Sequence, residues 1–347
     1  MTDFEPPLRL HLDSDALISN WRALDARSSA ARAGAAVKAN AYGLGAREVV
    51  THLRDAGCRD FFVAHWREAE AIADLVPPSW ISVLNGIAPS DIAAARTLGA
   101  TPVLNTAEQL ANWRSAGGGR CHVMLDSGIN RLGLTPQHIA DSLLDGIDID
   151  LLMSHLASAD TDVAQNNEQL SLFQQCVSTT RAQRFSLANS AGIMLGVDYH
   201  FDLTRPGLSL YGGIARAGME EWIRPVVRIS ARLLQVRNLP EGALVGYNAT
   251  HVCSKATRVG TISLGYADGY LRAFSSKGRA WADGLELPVI GRVSMDLVTL
   301  DLNAAPKICE GDWVEIEYDL VAAAAQSGLS QYELLTNLGS RFARDWS

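Results

Sequence analysis

Lys38 is the residue whose setting best suits chemistry. It stands in AAVKANAYGLG, residues 35–45, where an apolar run leads into the lysine and Asn40, Tyr42, Gly43 and Gly45 follow. A helical pattern begins at Ala46, so the segment reads as a strand ending in a Gly-containing turn. A lysine at the end of a buried strand can sit dry, and desolvation lowers its pKa towards that of a useful nucleophile or base. Such an amine forms Schiff bases with carbonyl cofactors, above all pyridoxal phosphate. Taken alone, a strand-end lysine is more often a solvated surface residue. Arg131, His155, Asn189, Ser190 and Arg205 also follow apolar runs.

The elements that would position these residues follow from the apolar pattern. Eight short runs, the one ending at Lys38 and those at 61–64, 81–84, 101–104, 122–125, 151–155, 185–188 and 201–204, alternate with helical or turn-rich segments. Leu17, Trp21 and Leu24 have helix spacing, and TAEQ at 106–109 has capping-box form. The alternation suggests a parallel, closed (β/α)8 TIM-like barrel. An open doubly wound sheet has the same periodicity. The polar residues gather at strand ends, which is where a barrel places its active site. From Ile223 the pattern alternates instead, with turn signals at 240–242, 268–269 and 283–284. The expected division is a barrel over 1–220 and a mostly-β C-terminal domain over 221–347, with one late helix near 331–338. Leu8–Leu12 reads as a first strand that can pair with the C-terminal domain. Beyond the alanine tract at 322–325 no low-complexity segment stands out.

Composition limits the function classes. The chain has 347 residues, 48% hydrophobic and 20% charged, ample for a large core. A net charge of −8 argues against non-specific nucleic-acid binding, which needs a basic face. Cys58, Cys121, Cys176, Cys253 and Cys309 are odd in number and widely spaced, so reduced thiols in a cytoplasmic compartment are the simplest expectation. The start, MTDFEPPLRL, does not read as a signal peptide, and no apolar run approaches a membrane span. No metal site is indicated, and neither GxxxxGK[ST] nor GxGxxG occurs.

The sequence resembles the alanine racemase family along nearly its whole length. The likeness rests on AVKANAYGLG (36–45), LDSGINRLG (125–133), MSHLASAD (153–160), LANSAG (187–192), RPGLSLYG (205–212), VGYNAT (245–250), LGYADGY (264–270) and GRVSMD (291–296). It implies a pyridoxal-phosphate enzyme that interconverts L- and D-alanine, for cell-wall synthesis or for breakdown of D-alanine. Lys38 matches the cofactor lysine and the base on the D face. Tyr247 matches the base on the L face; on its own, a tyrosine in a β domain more often packs. Racemisation needs an acid and a base on opposite faces of a planar carbanion, so two bases make physical sense. A free phenol ionises only near ~10, so a tyrosine base needs a neighbour that lowers or shares its proton. In the family this tyrosine enters from the other subunit, which implies a homodimer with shared active sites. Met295 and Asp296 match residues delivered the same way to the substrate carboxylate. Arg131 matches an arginine near that carboxylate and the cofactor ring oxygen. Arg205 matches the arginine at the ring nitrogen and His155 the residue that supports it; a lone strand-end His is more often structural. Tyr42, Ser190 and the amides of Gly207 and Leu208 match phosphate contacts, with Asn189 beside them. Tyr266, with Asp268, resembles the entrance.

The sequence also departs from the family. Met124 stands where many members have a lysine that becomes carbamylated and buttresses the arginine matched by Arg131. Ser186 replaces a histidine that contacts the catalytic tyrosine in some members. The tail LTNLGSRFARDWS lacks a tyrosine that often completes the phosphate site. None of these changes removes a base. Two other readings stay open: a broader racemase acting on serine or larger amino acids, and a non-catalytic cofactor carrier. Carriers lack the β domain that holds Tyr247.

Overall fold

The computed structural model describes residues 4–141 and 143–347. It divides into two units. One comprises Leu17–Leu210 with Ile214–Arg224; the other comprises the chain up to Ala16, Tyr211–Gly213 and Pro225–Ser347.

In the first unit the strands Ala35–Ala36, Phe61–Val63, Ile81–Val83, Thr101–Leu104, Cys121–Met124, Ile149–Met153 and Ala182–Ser186 form one parallel sheet in chain order. Leu203–Thr204 pairs in parallel with Arg32–Ala33. Asp202 N donates to Phe185 O and Ala36 N to Pro206 O, so backbone hydrogen bonds join the last strand to both neighbours and close the ring. This excludes the open sheet. From Phe61 to Met153 every strand residue is buried, which is why the runs are continuous rather than alternating. Phe62, Val103, Met124, Leu151, Met153 and Leu203 pack together as a core layer. The expected cap forms at Thr106, whose side chain accepts from Gln109 N.

The second unit is built on Val227–Leu239. Leu8–Leu12 pairs with it antiparallel, and Ala343–Trp346 runs parallel to Leu8–Leu12. From Leu233 onward the long strand pairs antiparallel with Thr257–Ile262, with a register shift between Leu233 and Gln235, while Trp313–Ile316 pairs with its first half. Arg279–Ala282 and Leu285–Pro288 form a hairpin in which Asp283 and Gly284 take φ of 49° and 76°, as a type I′ turn requires. Two late helices form where one was expected. Gln331–Thr336 has a capping box from Ser330 and Glu333. Leu320–Ser327 absorbs the alanine tract; Asp319 caps its start and Gly328, with φ 75°, ends it.

Candidate active site

Lys38 follows the end of the first barrel strand. Val37 N donates to Phe62 O at 2.9 Å, where the ladder ends. The strand itself stops at Ala36, short of the lysine where it was expected to end, because Ala39, Asn40, Ala41 and Tyr42 all take φ between 52° and 55°. Left-handed backbone costs an L-residue about 1–2 kcal/mol, so this turn must be held by its surroundings. Asn40 Oδ1 accepts from Ala46 N at 2.8 Å, and Ala41 N donates to Val37 O at 2.8 Å. Lys38 is half-buried. Burial first, then the Arg131 charge, hold its amine below the ordinary lysine range; Glu68 opposes them and Arg205 adds to them.

Arg205 is only 7% exposed. It donates to the Ser186 hydroxyl and the Ser154 carbonyl. Ser186 in turn donates to Leu203 O, so its hydroxyl is committed to holding the arginine. Burial pushes the guanidinium down to about 10, still charged at neutral pH. His155 is pushed down to about 3 by burial and then by Arg205, Arg131 and Lys38, so it is neutral. Arg131 lies on an exposed loop that Asp126 organises by accepting from the amides of Gly128, Asn130 and Arg131. Met124, instead of carrying charge towards this loop, lies in the barrel core.

A cradle of donors lies at the last two strand ends. The Ser190 hydroxyl accepts from Gly207 N at 2.9 Å and Ser209 N at 3.4 Å. A Cβ on Gly207 would collide with the Tyr42 hydroxyl, so only glycine brings backbone and phenol this close. Leu208 opens the short turn Leu208–Tyr211, and the Asn189 side chain accepts from Gly192 N, fixing the turn after Ser190.

The remaining residues lie in the second unit. Tyr247 begins a short 3-10 turn, not a strand, and is 67% exposed. Gly246, Asn248 and Ala249 around it have positive φ. A Cβ on Gly246 would lie 3.6 Å from Arg292 N, so this turn abuts the GRVSMD segment. Tyr266 N donates to Ser294 O and Ala267 N to Met295 O, both at 3.0 Å. The segment 291–296 therefore gathers Tyr247, Tyr266, Met295 and Asp296 within this unit. Asp296 is exposed and bonded to Arg341 at 2.8 Å.

The alanine racemase N-terminal domain family model matches residues 12–215, and the alanine racemase C-terminal domain model matches residues 226–346. The chain belongs to the alanine racemase family. It is 41% identical to a catabolic alanine racemase of Agrobacterium fabrum, over 97% of this chain and 91% of the relative. The structure superposes on alanine racemase from Bartonella henselae, which has covalently bound pyridoxal phosphate, with a TM-score of 0.92 and 32% identity over 99% of this chain and 100% of that one. Biosynthetic alanine racemase from Pseudomonas aeruginosa gives a TM-score of 0.90 with 34% identity over the same shares.

Three residues outside the family motifs hold motif residues in place, each within its own unit. Gln169 is buried and ties two loops together: it donates to Ser127 Oγ and His155 O and accepts from Ala157 N. Arg341 bridges Asp268 and Asp296. Glu68 lies beside Lys38 and accepts from Ala39 N. A buried glutamine on a helix that carries several glutamines and an acid after a strand carry no spacing signal. Only the fold reveals their partners.

Proposed function

We propose that this chain is an alanine racemase, interconverting L- and D-alanine with Lys38 and Tyr247 as its two bases. The observation that carries this reading is the juxtaposition of a half-buried Lys38 amine, held below the ordinary lysine range, with the Tyr42, Ser190 and Gly207 cradle and the buried Arg205 cation. These residues fit pyridoxal phosphate: hydroxyl and backbone donors for the phosphate, an arginine for the ring nitrogen and an amine for the carbonyl. When bound, the cofactor supplies the electron sink that lets a Cα proton leave.

Lys38 moves the proton on the D face of Cα and Tyr247 the proton on the L face. Arg131, Met295 and Asp296 orient the substrate carboxylate, and Tyr266 narrows the entrance. Arg205 stays protonated and would face the ring nitrogen of the bound cofactor as a donor, leaving that nitrogen no need of a proton of its own. Tyr247 acts in the barrel of a second copy, giving a homodimer with shared sites. Support for this comes from Leu244, Tyr247, Val252, Met295 and Leu297, large apolar side chains left exposed on adjoining turns of one unit. The reaction runs both ways, so one site serves D-alanine supply for cell-wall precursors and D-alanine breakdown. All five thiols are free, which suits the reducing cytoplasm. No helix among the described residues is long and apolar enough to cross a membrane.

The test is to load the protein with pyridoxal phosphate, reduce it with borohydride and map the labelled peptide, alongside chiral analysis of L-alanine incubations. Label on Lys38 with D-alanine formation is expected. Label elsewhere and unchanged alanine would overturn the reading.

A further inference from the structure

The ladder between the first two barrel strands stops at Val37 N to Phe62 O. The next inward amides, Ala39 N and Ala64 N, would have no strand partner. One carboxylate takes both: Glu68 Oε1 accepts from Ala39 N and Oε2 from Ala64 N, each at 2.7 Å. Glu68 sits in the first turn of Trp66–Glu70, and its side chain is 18% exposed. Lys38 thus lies between two tied amides, Val37 N held by Phe62 O and Ala39 N held by Glu68, which also holds Ala64 N on the neighbouring strand. Ala39 is also the first of the four left-handed residues.

We propose that Glu68 is the positioning residue for Lys38, spanning two strand ends to lock the left-handed turn that aims the amine. This rests on Lys38 being the cofactor lysine. The charge has a second effect. Arg131 and Arg205 both disfavour the Lys38 ammonium, His155 nearby is neutral, and Glu68 is the group that favours it. His65 Nε2 lies 3.9 Å from Glu68 and is the other titratable group against it. Glu68 thus keeps the Lys38 amine from falling as far as burial and two arginines would take it.

The test uses the full chain without cofactor, so it reads Lys38 whether or not the lysine binds pyridoxal phosphate. Two quantities are measured: the pH dependence of Lys38 acylation, by mass spectrometry, and amide hydrogen exchange across residues 39–42. Glu68→Gln removes the charge and one acceptor. It is expected to lower the Lys38 midpoint by about half to one pH unit and to speed exchange roughly 10-fold. Glu68→Asp keeps the charge but is too short to reach both amides. It is expected to speed exchange similarly while moving the midpoint by less than about 0.3 unit. Wild-type exchange in both variants, or an unmoved midpoint in Glu68→Gln, overturns the proposal. Failure of the cofactor-lysine reading would instead appear as borohydride label away from Lys38 in the unmodified chain.

Discussion

The Arg341 guanidinium bonds both carboxylate oxygens of Asp268, at 2.6 and 2.8 Å, across 73 positions of sequence. Asp268 is fully buried, and its Oδ2 also accepts from Gly265 N at 2.9 Å. The third arm of the guanidinium reaches Asp296. One cation therefore neutralises a buried acid and pins the loop proposed to meet the substrate carboxylate.

Removing Arg341 strands the buried Asp268 charge, and removing that charge leaves Arg341 with Asp296 alone. Arg341→Ala and Asp268→Asn should each lower stability by ~2 kcal/mol, less than for a fully buried pair because the arginine is half-exposed. The double variant should cost less than the sum of the two. Urea unfolding of all three measures the coupling; strict additivity would mean the pair is not coupled.

Much of the barrel was legible in the sequence. Its strands are buried on both faces, so they appear as apolar runs, and Thr106 announces its helix through cap chemistry. The left-handed turn at 39–42 was not legible. Ala, Asn, Ala and Tyr have no common preference for positive φ, and the bonds that hold them come from Glu68, Ala46 and Val37. The Leu320–Ser327 helix was obscured because an alanine run lacks apolar periodicity. Arg341 and Gln169 act through partners distant in sequence, so no local spacing could mark them.

Met124 is surrounded by Phe62, Val103, Leu151, Met153 and Leu203. Met124→Lys would place an ammonium in that layer and should cost ~2–4 kcal/mol. A lower denaturation midpoint checks this. Unchanged stability would mean that the lysine side chain leaves this layer for water.

Tyr42→Phe should weaken pyridoxal phosphate binding by about tenfold, the worth of one hydrogen bond to a charged group. Gly207→Ala should weaken it more, since the new methyl collides with the Tyr42 hydroxyl. Combining the two should lose less than the sum, because removing the hydroxyl makes room. Absorbance titration with the cofactor reports all three.

His122 is buried and neutral, held down to about 3, first by burial and with Asp150 opposing. Its folded pKa lies below the unfolded value of 6.5, so the unfolded chain binds the extra proton between those limits. Stability contributed by neutral His122 is full above about pH 6.5 and falls as pH drops towards 3, with a slope of up to about 1.4 kcal/mol per pH unit. His122→Gln should flatten the acid limb of a stability–pH curve. An unchanged limb would place the acid sensitivity elsewhere.

The division of labour between Lys38 and Tyr247 is best tested by proton exchange at Cα. The protein, loaded with pyridoxal phosphate, is incubated separately with L-alanine and D-alanine in deuterium oxide, and Cα deuteration is followed by NMR. The unmodified chain should deuterate both enantiomers and interconvert them. Tyr247→Phe should still deuterate D-alanine, through Lys38, while losing exchange on L-alanine and all interconversion. Equal exchange of both enantiomers by Tyr247→Phe, or continued racemisation, would contradict the two-base assignment.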